Sequence, residues 1–236
     1  MAPEIKHLKE SSSLQRGGLN HQAIEDYLKT IYTLAQIETP VSTSRIATAR
    51  EVKPASVTGM IKRLSKLQLV NYEKHYGVTL TDSGRQIALE VIRHHRLIEL
   101  YLIEALGFSW DEVHEQADIL EHVISEKLEE RIAAALNYPQ FDPHGDPIPT
   151  KDGQMHRLDT ILLTQVAPNT NVRIARILDS DNSDLLRYLA DLGLKPGAKL
   201  TVNQIEPFDG PLTLTINDET RVVGFNVASN IRVEKI

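Results

Sequence analysis

Pro139, Pro143, Pro147 and Pro149 interrupt the chain between residues 137 and 157, and no helix or strand can run for long through prolines at that spacing. The hydrophobic period changes across this interruption. Before it, apolar residues recur at helical spacing; beyond it they fall in short alternating runs. A chain built this way folds as a mainly α protein with a small all-β domain at its C-terminal end, and its 236 residues give room for one large or two modest cores.

Residues 1–19 are polar, pass through Arg16-Gly17-Gly18 and show no period, which predicts a mobile arm. From Asn20 onward Ile24, Tyr27, Leu28, Ile31, Leu34 and Ala35 make one apolar stripe of a helix that Pro40 closes. Ser42 to Glu51 opens with hydroxyl residues able to cap a second helix. Pro54 to Leu69 reads as a third, with Pro54 in its first turn. The tight join between these two, followed by Val70 to Leu80 with a turn near Gly77, predicts a winged helix-turn-helix over residues 20–81.

Thr81-Asp82-Ser83-Gly84 starts a long helix to about Leu106, ended by Gly107. Two more helices follow, Asp111 to about Glu121 and Glu126 to Leu136, so residues 82–137 form a helical domain. Residues 138–158 read as a linker. Residues 159–236 hold the runs Val172–Ile177, Lys199–Ile205, Leu212–Ile216 and Val222–Phe225, with one helix at Asp184–Asp191, and predict a small barrel.

Composition removes several classes of chemistry. With no cysteine, disulfides, Cys-based zinc fingers, iron–sulfur clusters and thiol nucleophiles are excluded. The N-terminus lacks the apolar core of a signal peptide, and Glu99 and Glu104 break the most apolar stretch, so the expectation is a cytoplasmic protein without a membrane partner. The net charge of −6 is uneven: +3 over residues 21–80 and −10 over residues 81–236. A mildly basic module on an acidic body is compatible with a local phosphate-binding face.

At about 100° per residue, His114, Asp118, Glu121 and His122 share one side of a helix. Imidazole and carboxylate without sulfur suit a borderline-to-hard divalent cation, while the plainer reading is an acidic, solvated face. His95 and Glu99, one turn apart, lie on the apolar stripe of Ala88, Val91, Ile98 and Leu102. Burying that pair unpartnered would cost several kcal/mol, so either a metal or a dedicated polar network belongs there. Asp26 lies opposite the stripe of its own helix, and periodicity alone makes it a solvated acid. In the helix-turn-helix, Lys53, Ala55, Ser56, Thr58 and Gly59 open the second helix, the part that meets base edges, and Lys62, Arg63 and Lys66 can approach phosphates. The same module also occurs in proteins that bind other proteins.

Taken in order, Glu25-Asp26-Tyr27-Leu28-Lys29-Thr30-Ile31-Tyr32, the helix-turn-helix, His95-Arg96-Leu97-Ile98-Glu99, the run Glu112 to Val123 and Pro143-His-Gly-Asp-Pro-Ile-Pro149 resemble the diphtheria toxin repressor family of metal-dependent regulators. The resemblance covers nearly all of residues 20–236. It implies a C-terminal SH3-like (FeoA-like) barrel, a homodimer formed by the helices after the wing, double-stranded palindromic operator DNA as partner, and two metal ions per subunit. One metal site would use Asp26, Asp118, Glu121 and His122, the other His95, Glu99 and His114. Iron-type members carry methionine and cysteine where this chain has Asp26 and Asp118; carboxylates at both favour Mn2+, with Fe2+ as the alternative. Where some members add ligands from the SH3-like domain, this chain aligns Asn182 and Leu185. Leucine cannot ligate, which leaves Asp181 or Asp184 as substitutes. The implied mechanism is a linkage, in which metal stabilises the DNA-competent arrangement because its ligands lie on separate helices. A dinuclear metal hydrolase is the competing class, against which no convincing nucleophile is found.

Overall fold

The computed structural model describes residues 21–236, and the expected mobile arm lies outside the described residues. These residues make two compact units, one running to Arg93 and including Lys151–Gly153, the other comprising His94–Thr150 and Gln154–Ile236. The division thus falls inside the long helix, twelve residues beyond the expected boundary after position 81.

In the first unit α1 (His21–Ala35) buries Ile24, Tyr27, Leu28, Ile31 and Tyr32. Helix α2 (Thr43–Ala49) is capped by Ser42, whose hydroxyl accepts from Arg45 N–H, and α3 (Pro54–Lys66) begins on Pro54, where a missing N–H costs nothing. Strands β1 (Val70–Glu73) and β2 (Gly77–Leu80) form the wing, paired antiparallel from Val70–Leu80 to Glu73–Gly77. Helix α4 (Asp82–Leu106) follows at once. A Cβ on Gly84 would lie 1.9 Å from the Leu69 carbonyl oxygen, so only glycine permits this close start.

The second unit continues from His94 on α4 through α5 (Val113–Leu120) and α6 (Glu126–Ala135). Leu97, Ile132, Ala133 and Ile148 form one small apolar cluster, and Ile98, Leu102, Val113 and Ala117 another. Beyond them lie β3 (Ile161–Leu162), β4 (Thr170–Ile177), α7 (Ser183–Asp191), β5 (Lys199–Ile205), β6 (Leu212–Ile216), β7 (Glu219–Val223), α8 (Phe225–Ala228) and β8 (Ile231–Lys235). The six strands pair antiparallel in the order β3-β8-β4-β5-β6-β7, with register shifts in β4 and β5 that bend the sheet. Val172, Ile174, Val202, Leu214 and Val233 alternate inward and meet Leu186 and Leu189 of α7.

Two expectations need correcting. The run Val222–Phe225 is strand only in its first half: β7 starts earlier, at Glu219, and ends at Val223, and Gly224 caps α8. Residues 138–158, read as a linker, do lack helix and strand beyond the Phe141–Pro147 bridge, but Asp142 and His144 to Pro149 are buried or nearly so within the second unit. The prolines block regular structure without keeping the segment in solvent. Gly145 shows how tightly it packs, since at φ +87° its missing Cβ would fall 1.9 Å from the Ala175 carbonyl oxygen on β4.

Candidate metal centre and nucleic-acid interface

Helix α4 places His95 and Glu99 one turn apart, and both are buried, at 6% and 2% exposure. The polar network that such a pair requires is present. His95 Nε2 lies 3.0 Å from Glu99 Oε1 and 3.1 Å from His114 Nδ1, while its Nδ1 lies 2.5 Å from Glu121 Oε2 and 3.3 Å from Asp118 Oδ1. Helix α5 contributes His114 and Asp118 one turn apart, 3.6 Å from ring to carboxylate, and the turn after it contributes Glu121 and His122, 3.4 Å apart. The residues singled out in the second unit therefore converge on one region, with nitrogen and oxygen donors only.

His94, not anticipated from periodicity, supports this arrangement. Its Nδ1–H donates to the Glu121 carbonyl oxygen at 3.1 Å, and its Nε2 lies 3.4 Å from the buried Glu129 carboxylate.

The buried proline segment adds a second group of donors that sequence reasoning missed. Asp142 Oδ1 accepts the N–H groups of His144 and Asp146, at 2.8 and 2.9 Å, which fixes the turn. His144 stacks on Trp110 with ring centroids 5.4 Å apart, and its Nε2 donates to the Trp110 carbonyl oxygen at 3.2 Å. A carbonyl can only accept, so Nε2 carries the hydrogen and Nδ1, 3.8 Å from Glu99 Oε2, faces the site. Arg96 holds the segment through Asp146 at 3.1 Å, the Pro147 carbonyl at 2.6 Å and Asp142 at 3.5 Å. The signal available in the sequence was a histidine and two aspartates set among the prolines of Pro143–Pro149 and the residue before them.

Electrostatics in this cluster push neighbouring acids apart. Burial raises the Glu99 carboxyl, but the His95 charge and hydrogen bonds from His114, His144 and His95 outweigh it and hold the group well below the usual range. Burial and the neighbouring Asp146 and Glu99 charges push Asp142 up to about 7, with Arg96 and His144 opposing only in part. Burial lowers His144, yet bonding to Glu99 and the Asp142 charge raise it overall.

The donors suit a divalent cation. His95, His114 and Asp118 each offer an atom within 4.8 Å of the others, as do the buried Glu99, Asp142 and His144. Asp181 brings its Oδ1 to 3.3 Å from His114 Nε2, whereas Asp184 pairs with Arg187. Asn182 and Leu185 take no part: Asn182 Oδ1 caps α7 through Leu185 N–H, and Leu185 packs against the β core. In the first unit Asp26 is half-buried rather than solvated, and its Oδ2 lies 2.9 Å from Arg50 Nη2.

The expected DNA-contacting residues are mostly open to solvent. Lys53, Ala55, Ser56, Gly59, Lys62, Arg63 and Lys66 are exposed along α3, and nothing lies within 4 Å of where a Gly59 Cβ would sit. Thr58 is half-buried, and its hydroxyl donates to the Pro54 carbonyl oxygen at 3.1 Å.

Comparison with known proteins decides what these surfaces belong to. Residues 21–78 match the Iron dependent repressor, N-terminal DNA binding domain; residues 81–150 match its metal binding and dimerisation domain; residues 161–235 match the FeoA domain. The iron-dependent repressor IdeR of Mycobacterium leprae is 31% identical over 223 residues, covering 90% of this chain and 96% of that protein. The chain belongs to the diphtheria toxin repressor family. The diphtheria toxin repressor of Corynebacterium diphtheriae is itself 29% identical over 221 residues, again covering 90% of this chain and 96% of that protein. Among solved structures, a manganese-dependent transcriptional repressor in complex with manganese is 38% identical, with a TM-score of 0.81 over 90% of this chain and all of that one. This family member is a metal-dependent, DNA-binding transcriptional repressor with a dimerisation domain, and the family consists of transcriptional regulators rather than enzymes. No helix among the described residues is long and apolar enough to cross a membrane.

Proposed function

We propose that this repressor is activated by Mn2+, with Fe2+ as the nearest competitor, and that two ions per subunit enable a homodimer to hold a palindromic operator controlling metal-uptake genes. The observation that carries the reading is a ligand set of imidazole and carboxylate groups with no sulfur, gathered from α4, α5 and the turn after α5. Hard oxygen donors favour Mn2+ over softer competitors, although selectivity also depends on geometry and supply.

Asp26, Asp118, Glu121 and His122 hold one ion. His95, Glu99 and His114 hold the other, with Asp181 as the acid from the FeoA domain and Asp142 and His144 offering Glu99 further donors. A bound cation would neutralise the acids that gather there. His94 holds the backbone that carries Glu121, and Arg96 holds the segment that carries His144, so neither ligand has to be ordered at the moment of binding. On the DNA side, Lys53, Ala55, Ser56, Thr58 and Gly59 meet base edges, and Lys62 and Arg63 meet phosphates.

The test is operator binding by a DNA fragment from the chain's own promoter region, titrated with Mn2+, Fe2+ and Zn2+. Asp26→Ala should weaken Mn2+-dependent binding at least about ten-fold, the cost expected for loss of a ligand in a linked site. Unchanged metal dependence in that variant would refute the role of Asp26, and a retained response to Fe2+ alone would displace manganese as the activator.

A further inference from the structure

We infer that Arg50 is a built-in competitor for Asp26 and thereby sets the metal concentration at which the repressor responds; the inference rests on Asp26 being a ligand. Arg50 closes α2, its backbone N–H donating to the Ile46 carbonyl and the next N–H, that of Glu51, to the Thr48 carbonyl, so its main chain is fixed in the turn of the helix-turn-helix. Its side chain reaches back to α1. There Nη2 lies 2.9 Å from Asp26 Oδ2, and the guanidinium lies 5.3 Å from the centre of the Tyr27 ring.

Both side chains are largely shielded from water, with 28% and 21% exposed. Arg50 Nε is buried with no hydrogen-bond partner. A guanidinium so placed depends on the Asp26 carboxylate for its counter-charge, and it cannot escape by losing its proton because its pKa lies far above neutrality.

The pair shares one carboxylate oxygen, Oδ2. A divalent cation drawn to Asp26 must either displace the guanidinium or accept a positive neighbour only a carboxylate's width away. Both outcomes weaken binding relative to a neutral residue at position 50. Arg50 therefore raises the metal threshold, and it does so from within the DNA-reading domain. A carboxylate aimed by a neutral donor would be expected to behave in the opposite way, losing affinity when that donor is removed.

The experiment is direct Mn2+ titration of the full-length protein, with free ion followed by its electron paramagnetic resonance signal, so that no DNA readout is involved. Arg50→Met removes the charge while keeping an aliphatic stem over Tyr27, and should tighten Mn2+ binding about ten-fold at low salt, the size of effect a close cation exerts at a partly shielded site. The gain should shrink as salt is added, because screening weakens the repulsion being relieved. Arg50→Lys, which keeps the charge, should stay near wild type, and Arg50→Met in an Asp26→Asn background should change nothing further. Arg50→Gln repeats the test should the Met variant disturb the fold, as judged by circular dichroism. Unchanged or weaker Mn2+ binding in the neutral variants, with binding lost in Asp26→Asn, overturns the role of Arg50 alone. Unchanged binding in Asp26→Asn overturns the ligand reading and this inference together.

Discussion

Glu99 and Asp142 stand in the same buried cluster and are driven in opposite directions, because burial, helped by neighbouring carboxylates, pushes the second up, while imidazoles around the first outweigh its burial. The consequence for stability can be worked out by sign. Asp142 in the folded protein binds its proton up to about pH 7, well above the value of about 3.9 for an unfolded aspartate. Its contribution to stability is therefore fully present below about pH 4 and is lost as pH rises towards 7. Glu99, depressed, works the other way: its contribution is present above the ordinary carboxylate range and is lost on strong acidification. Asp142→Asn keeps an oxygen for the His144 and Asp146 N–H groups but cannot ionise. With metal removed by a chelator, its melting temperature relative to wild type should rise by about 2–5 °C between pH 5 and pH 8, a shift corresponding to roughly a kcal/mol or more in a protein of this size. Melting curves that stay parallel across that range would show that Asp142 does not carry the proton.

At the scale of elements, α5, the turn after it and α6 present Ile119, Val123 and Leu128 to solvent at 65%, 74% and 49% exposure. Large apolar side chains exposed next to a ligand set are the expected material of a subunit interface, and the domain that contains them matches one named for dimerisation. Ile119→Glu combined with Leu128→Glu should weaken dimerisation about a hundred-fold or more, as burying carboxylates at an interface core would. Light scattering on a dilution series checks it, and a dimer of undiminished strength would move the interface elsewhere. Helical periodicity was legible in the sequence: the apolar stripe of α4 located His95 and Glu99, and α6, expected from Glu126, does start there, with Ser125 as its cap. Strands β3 and β8 were not: β3 spans two residues, and Ile231–Lys235, of the same length as β6, has only Ile231 and Val233 as apolar positions against the charged Arg232, Glu234 and Lys235. The buried proline segment escaped for a different reason. Local rules read prolines as a bar to regular structure, whereas the fate of Asp142, His144 and Asp146 depends on Arg96 and Trp110, more than thirty positions away along the chain. Asp26 was read correctly as off the apolar stripe, but periodicity cannot reveal the partner, Arg50, that keeps it from solvent.

At the scale of the whole molecule, a protein with net charge −6 has to bind a polyanion, which makes the location of its few cations decisive. The segment 21–80 holds a net +3, and the exposed Lys53, Lys62, Arg63 and Lys66 lie along one helix of it, while residues 81–236 hold −10. Such a distribution disfavours binding to DNA through anything but the segment 21–80, and it makes affinity depend steeply on salt. Because each phosphate contact releases about 0.9 of a counterion, replacing one phosphate-contacting lysine in both subunits of a dimer should reduce the slope of log affinity against log salt by about 1.8. Lys62→Ala is the variant to use, since its side chain is exposed on α3. Operator binding measured from 50 to 300 mM salt at saturating Mn2+ should show a shallower slope with sequence preference retained, whereas Ser56→Ala should alter preference among operator variants with little change in slope. A Lys62→Ala protein with the wild-type slope would remove α3 from the phosphate contacts and leave the wing, with Lys74 and His75 exposed at its turn, as the positive element facing the backbone.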